Sequence, residues 1–179
     1  AINCTFVGNV TDGVAGTFDT NSGDTTLIVN CIVVNDSPDS HVGVGTFLPL
    51  FSIVPEAPTG TPDSNGSFNA DPMFVDASSG DYRLMAGSPA IDAGRSLGTF
   101  GEIDITSIAF DLDGAVRNRD DADTPNTGVA VWDLNIDIGA YEFQPAGVVS
   151  DCLADQNLNG VLDPGDFTAW VANFNAGCP

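Results

Sequence analysis

The sequence predicts a mainly β chain built as a solenoid and closed by a small α-helical calcium-loop tail. Three observations carry this. Residues 2–9 (INCTFVGN) align with residues 29–36 (VNCIVVND), setting Asn3 on Asn30, Cys4 on Cys31, Phe6 on Val33 and Val7 on Val34, 27 residues apart. Helical periodicity is nearly absent from residues 1–150. The tail, by contrast, holds a regularly spaced oxygen-rich loop followed by one helical apolar face. A period in the twenties with one β-branched strand per period suits a solenoid, in which each strand stacks on its equivalent one coil later. Stacked equivalents lie at the strand spacing of ~4.8 Å. Asn3 over Asn30 and Cys4 over Cys31 are therefore expected to form ladders.

Beyond residue 37 the repeat loosens. FLPLFSIV (47–54), PMFVD (72–76) and DYRLM (81–85) read as short strands between Gly, Pro, Asp and Ser turns. Residues 55–67 read as a long loop, as do residues 117–128 (RNRDDADTPNTG). Alternation returns in VAVWDLNIDIG (129–139) and AYEF (140–143). The expected organisation is a solenoid body over 1–145, a linker over 146–150 and a separate module over 151–179.

Of 179 residues, 42 % are hydrophobic, enough for a core. The formal net charge is −21, with 22 Asp, three Glu, four Arg and no Lys. Such a chain repels nucleic-acid phosphates and anionic membrane surfaces. No apolar run approaches the ~18 residues of a membrane span. Lys-dependent chemistry is excluded, and the acids point toward cations. Asp in place of Glu favours turns over helices, because Asp bonds its own backbone. The first residue is Ala1, so a removed leader or a longer parent chain is expected.

Cys4 and Cys31 lie near the start; Cys152 and Cys178 bracket the tail. With no CxxC and a single His, zinc spacing is missing. The pattern fits an oxidising, secreted setting. Cys152 and Cys178 are expected to form a disulfide, since closing a loop of this length contributes roughly 3 kcal/mol in the chain-entropy model. Cys4 and Cys31 are read as either bonded or free and buried. N-x-S/T sequons stand at Asn3, Asn9, Asn35 and Asn65.

The phrases NADPMFVDASSGDYRLMAGSPAIDAG (69–94), DLDGAVR (111–117) and DIGAYEF (137–143) resemble the C-terminal part of bacterial right-handed parallel β-helix surface proteins, pectate-lyase-like and often described by a choice-of-anchor domain. The resemblance covers about 1–143. It implies secretion to the bacterial exterior or cell surface, a β-helix and a variable sorting module, and it does not imply catalysis.

Residues 155–166 read DQNLNGVLDPGD. Side-chain oxygens recur at Asp155, Asn157 and Asn159, and Gly160 stands where the loop must turn. Val161 offers a backbone carbonyl, Asp163 a direct or water-mediated ligand, and Asp166 closes the loop. This is the twelve-residue oxygen cage of an EF-hand with Asp in place of the final Glu, which predicts Ca²⁺. Phe167, Trp170, Val171 and Phe174 then mark one face of a helix. Residues 151–179 resemble a dockerin repeat of the type ending in Gly-Cys. Dockerins usually carry two such loops and this chain has one. Pro164 and Gly165 stand where cellulosomal dockerins have Ser/Thr-type recognition residues.

The remaining polar residues read as structural. His41 is placed in a surface loop. Asp111 and Asp113 read as a turn, with a second cation site or an acid/base pair as alternatives. Asp120, Asp121 and Asp123 read as a solvated loop pairing locally with Arg117 and Arg119. Arg83 and Arg95 are expected to pair with nearby acids. Trp132 and Trp170 read as core. The expected function is a non-enzymatic extracellular structural or surface protein whose Ca²⁺-dependent tail serves attachment or head-to-tail self-association, as in a filament or surface layer. The alternatives are a receptor-docking module and a remnant polysaccharide lyase. The tail has too few residues for an independent core, so Ca²⁺ binding should appear as folding free energy. Calorimetry of Asp155→Ala should show Ca²⁺ affinity reduced at least tenfold; unchanged affinity would show that the loop is an ordinary turn.

Overall fold

Short runs of β-branched and aromatic residues, each ended by a turn residue, make six strands in the first fifty residues of the computed structural model. These are β1 (Thr5–Val7), β2 (Phe18–Thr20), β3 (Thr25–Val29), β4 (Ile32–Val34), β5 (His41–Gly43) and β6 (Thr46–Leu50). The structure describes residues 1–9, 17–34, 41–100, 103–129 and 135–144. The chain divides into two units, Ala1–Phe143 and Gln144–Pro179. The expected linker, the calcium loop, the Cys152–Cys178 pair, Asn35, Trp132 and Trp170 lie outside the described residues.

The described residues are mainly β, with helix limited to two single 3₁₀ turns, Ala77–Ser79 and Ile105–Ser107. The first three strands pair with the next three in the same order, and every pair is parallel. Thr5, Phe6 and Val7 lie beside Ile32, Val33 and Val34, the register expected from the repeat. The column continues through single parallel bridges, Ile32 to Ile53 and Ile53 to Phe68. Four tiers are thus in register at this column. Main-chain bonds hold them: Ile53 donates to Cys31 O at 2.9 Å and Phe68 to Ser52 O at 3.0 Å.

Each tier enters the column through a left-handed residue. Asn3, Asn30, Phe51 and Gly66 have φ of 50°, 51°, 47° and 78°. Asn tolerates this region because its side chain can bond locally. Phe51 has no such help, and its ring fills the space left by the bare Cα of Gly66, where a Cβ would meet the ring at 2.6 Å.

Alternation then sorts the side chains. Cys31, Val33 and Val54 pack with Ile28 on one side, against Cys4, Phe6, Phe18 and Phe47. Ile32, Ile53 and Phe68 face the other way and are covered by Leu84, Ala90, Ile91, Ala93 and Ile138. Burying one such Ile stabilises by roughly 1.5–3 kcal/mol. Phe6 meets Phe18 edge-on at 5.0 Å, and Phe18 stacks on Phe47 at 5.7 Å. His41 is not in a loop. It belongs to β5, stacks on Phe47 at 5.2 Å and shares a hydrogen bond with Thr20 Oγ1 at 3.0 Å.

The later strands depart from the parallel pattern. β7 (Phe74–Asp76) and β8 (Asp81–Leu84) fall within the expected segments but form an antiparallel hairpin. The Asp76 carboxylate accepts from Ser79 N, and Gly80 turns the chain at φ 82°. That tight local turn returns the strand on itself before it can lie on a tier. β9 (Thr99–Phe100) and β10 (Ile103–Asp104) make a second small hairpin. Residues 55–67 are turn-rich, as expected, and contribute one bridge, Thr59 to Asn69.

Candidate functional site

Asp92 follows Ile91, and Asp137 stands between Ile136 and Ile138. These isoleucines are buried, so the local backbone carries both aspartates inside with them. Asp92 is 0 % and Asp137 1 % exposed. The main chains around them approach closely at Gly94 and Gly128, where a Cβ on Gly128 would lie 2.0 Å from Gly94 O. Arg117 at 2 % and Glu142 at 4 % exposure complete a buried ionic cluster, with Asp121 at its margin.

Nearly every oxygen of this cluster accepts a backbone amide. Asp137 takes Asp92 N at 2.8 Å on one oxygen and Phe143 N on the other. Glu142 takes Asp137 N at 3.1 Å and Arg119 N at 3.2 Å. Asp92 Oδ2 takes Asp121 N at 3.0 Å, and Asp111 takes Asp113, Ala115 and Glu142 amides. Arg117 donates from one nitrogen to Gly139 O at 2.9 Å and Ala140 O at 2.8 Å, and lies 3.9 Å from Glu142. Segment 137–143 therefore has no strand. Its amides go instead to Glu142, Ala90 O, Asn30 O, Thr5 Oγ1, Asp111 and Asp137. The segment is a bent chain latched by carboxylates, and its alternation does not make a strand.

Arg117 is not in a solvated loop pairing with its neighbours; its partner is Glu142, brought in from the other end of the latch. Among the described residues Arg95 has no acidic partner. Its Nε donates to Leu97 O at 2.6 Å, and its guanidinium lies 5.6 Å from the Phe51 ring and 5.8 Å from Phe100. The Asn3 sequon is buried, so the folded protein offers no glycan acceptor there. Asp111 is a turn residue as expected, yet it also latches Glu142. Arg83 does pair with Asp81. Cys4 and Cys31 are free thiols.

No family model, curated protein or solved structure matches the chain.

Among the described residues no group of three or more His, Cys, Asp or Glu is placed to hold a metal ion. No helix of the described residues is long and apolar enough to cross a membrane. A shallow cavity of about 310 Å³ opens beside Phe68, Ser88, Pro89 and Asp123. Asp123 is the one ionisable residue of that lining among the described residues. Asp92, Asp137 and Glu142 escaped the sequence reading. Their signal was an acid set among small and apolar residues in AIDAG and NIDIGAYEF.

Asp137 and Glu142 share the Arg117 guanidinium and Asp92 has no basic partner among the described residues, so full ionisation would leave an uncompensated buried charge. Burial pushes Asp92 up to about 6, against the Asp121 amide that favours its charged form. Burial likewise pushes Asp137 up to about 7. Glu142 is also raised, by burial and by Asp137 beside it. Asp92 Oδ1 has no partner, which further favours the neutral form. Raised folded-state values mean that the native protein holds more protons than the unfolded chain between about pH 4 and 7. Stability should therefore be highest on the acid side of that window and fall as pH rises through it. The part of the change from pH 5 to 8 that a charge-removing variant abolishes reports the latch. The melting temperature should drop by roughly 5 °C over that interval. Asp92→Asn keeps an acceptor for Asp121 N and removes the charge. It should flatten the pH dependence and match or exceed the parent at pH 8; equal destabilisation at pH 5 and 8 would show that the ionised carboxylate is required.

Proposed function

We propose that this chain is a non-enzymatic extracellular structural or surface protein of bacterial right-handed β-helix type. Its body, residues 1–145, is read as the end of a solenoid, and its 151–179 module as a Ca²⁺-dependent element for attachment or assembly. The observation that carries the reading is the open first tier. Asn30 Nδ2 donates to Asn3 Oδ1 at 3.0 Å, but Asn3 Nδ2 is buried with no acceptor. Among the described residues β1 and β2 each pair on one edge alone. Unpaired strand edges are templates for another strand, and a further tier supplying an amide oxygen over Asn3 would satisfy both features.

Two more observations favour a structural role. The buried carboxylates are spent on backbone amides, where they fix loops and reach no cleft. Arg117, buried and bonded to two carbonyls, is poorly placed to take a proton from a substrate, which tells against a remnant lyase. A partner surface that supplies the missing tier makes a head-to-tail contact, and such contacts propagate unless rotation closes a ring. Copies carrying −21 each repel until screened or bridged, so Ca²⁺ should promote the contact.

Sedimentation velocity at millimolar Ca²⁺ tests this. The account predicts species well above 18.4 kDa that revert on chelation. Gly8 N donates to Val34 O, so by strand alternation the Val7 amide points to the open edge. Val7→Pro should weaken association at least tenfold while leaving the monomer folded. A strict monomer at high concentration with Ca²⁺ would overturn self-assembly and favour the receptor-docking alternative.

A further inference from the structure

Cys4 and Cys31 stand at the same position of successive tiers, between two parallel contacts, Ile2 beside Val29 and Thr5 beside Ile32. That places their Cα atoms at the inter-strand spacing of ~4.8 Å, inside the ~4.4–6.8 Å that a disulfide spans. Both side chains join one packed cluster, so their Cβ atoms point the same way. Each thiol bonds the carbonyl two residues back: Cys4 Sγ to Ile2 O at 3.1 Å and Cys31 Sγ to Val29 O at 3.2 Å. In the next two tiers the position is taken by Ser52 and Ser67, which serve as acceptors for the amides of Cys31 and Ser52. Hydroxyls suffice at this position for hydrogen bonding, yet the first two tiers carry two adjacent thiols.

We propose that Cys4 and Cys31 are a thiol pair that a disulfide-bearing oxidant converts into an inter-tier disulfide, tying the first tier to the second. Cys4 is half-buried and Cys31 fully buried, so Cys4 meets the oxidant first. The Cys4 thiol is lowered to about 6, chiefly by the neighbouring Cys31 side chain, while Cys31 is raised by Cys4 beside it and by burial. The exposed member is thus also the one present as thiolate. Its sulfur attacks the oxidant's disulfide and forms a mixed disulfide, releasing one thiolate. Cys31, deprotonating as it reacts, attacks Cys4 Sγ and expels the second. Two electrons and two protons pass to the oxidant, which leaves as two thiols. The bond closes a loop that includes the whole first tier, whose strands β1 and β2 have no partner on the outer edge among the described residues. This inference rests on the tier register and is independent of whether the open end self-associates.

The test uses the full chain carrying Cys152→Ser and Cys178→Ser, equilibrated natively in glutathione buffers of varied redox ratio, acid-quenched, alkylated and digested. The expected product is a peptide pair joined through Cys4 and Cys31, two hydrogens lighter than the reduced pair, with a melting temperature raised by roughly 5–10 °C. Adding Cys31→Ser should leave Cys4 as a persistent glutathione adduct, because the resolving thiol is gone. Full alkylation of both thiols in the folded protein at excess glutathione disulfide would overturn the proposal. So would a link that appears only after denaturation.

Discussion

Asn30 is where the parts of the described fold are joined. It is fully buried and left-handed, with φ 51°. Its amide side chain donates to Asn3 Oδ1 and to Arg95 O at 2.9 Å, and accepts from Arg95 N at 2.8 Å. Its backbone donates to Leu50 O at 3.1 Å and accepts from Gly139 N at 2.9 Å. The first tier, the end of β6, the chain at Arg95 and the 137–143 latch therefore all bond one residue. A buried amide with every group satisfied specifies position strongly, because any displacement leaves several polar groups unpaired in a dry interior. Gly139 must come close for this to work. A Cβ there would lie 2.8 Å from Ile32 Cδ1, and its φ of 110° is one that other residues rarely adopt.

The second organising constraint is the placement of acid. Acidic side chains on this surface repel each other, but those turned inward act as acceptors for amides that have no sheet partner. Asp92, Asp137, Glu142 and Asp111 thereby replace strand pairing over the latch. Carboxylates can serve so many amides because each offers about four lone-pair sites. The cost is desolvation, met in part by Arg117 and in part by retained protons. Charge that looks like a solubility device in the composition is, in this region, a folding device.

The mainly β class and the register of β1 on β4 were legible because parallel strand pairing leaves a local repeat in the sequence. The 27-residue match set Asn3 on Asn30 and Phe6 on Val33 before any coordinates, and the observed register is the same. The β7–β8 hairpin was harder, since its strands read alike whether they stack or fold back; the Asp76 cap and Gly80 decide. Arg117 and Glu142 were illegible for a physical reason. Their pairing depends on a long-range approach of 111–119 to 137–143, and a charged residue in a polar run gives no local sign of burial. The loop expected to hold Ca²⁺ shows the reverse: its spacing is explicit in the sequence, and it lies beyond the described residues.

If Asn30 is the junction, its side chain should matter far more than that of its ladder neighbour Asn3, although both occupy the same left-handed position. Glycine keeps that backbone conformation in either place, so Asn30→Gly and Asn3→Gly isolate the side chains. Denaturant unfolding with amide exchange on both variants is the direct comparison. The account predicts that Asn30→Gly loses about 3 kcal/mol and exposes the Arg95 and Gly139 amides to exchange, whereas Asn3→Gly loses about 1 kcal/mol and leaves them protected. Equal losses in the two variants, with Arg95 and Gly139 protected in both, would contradict it.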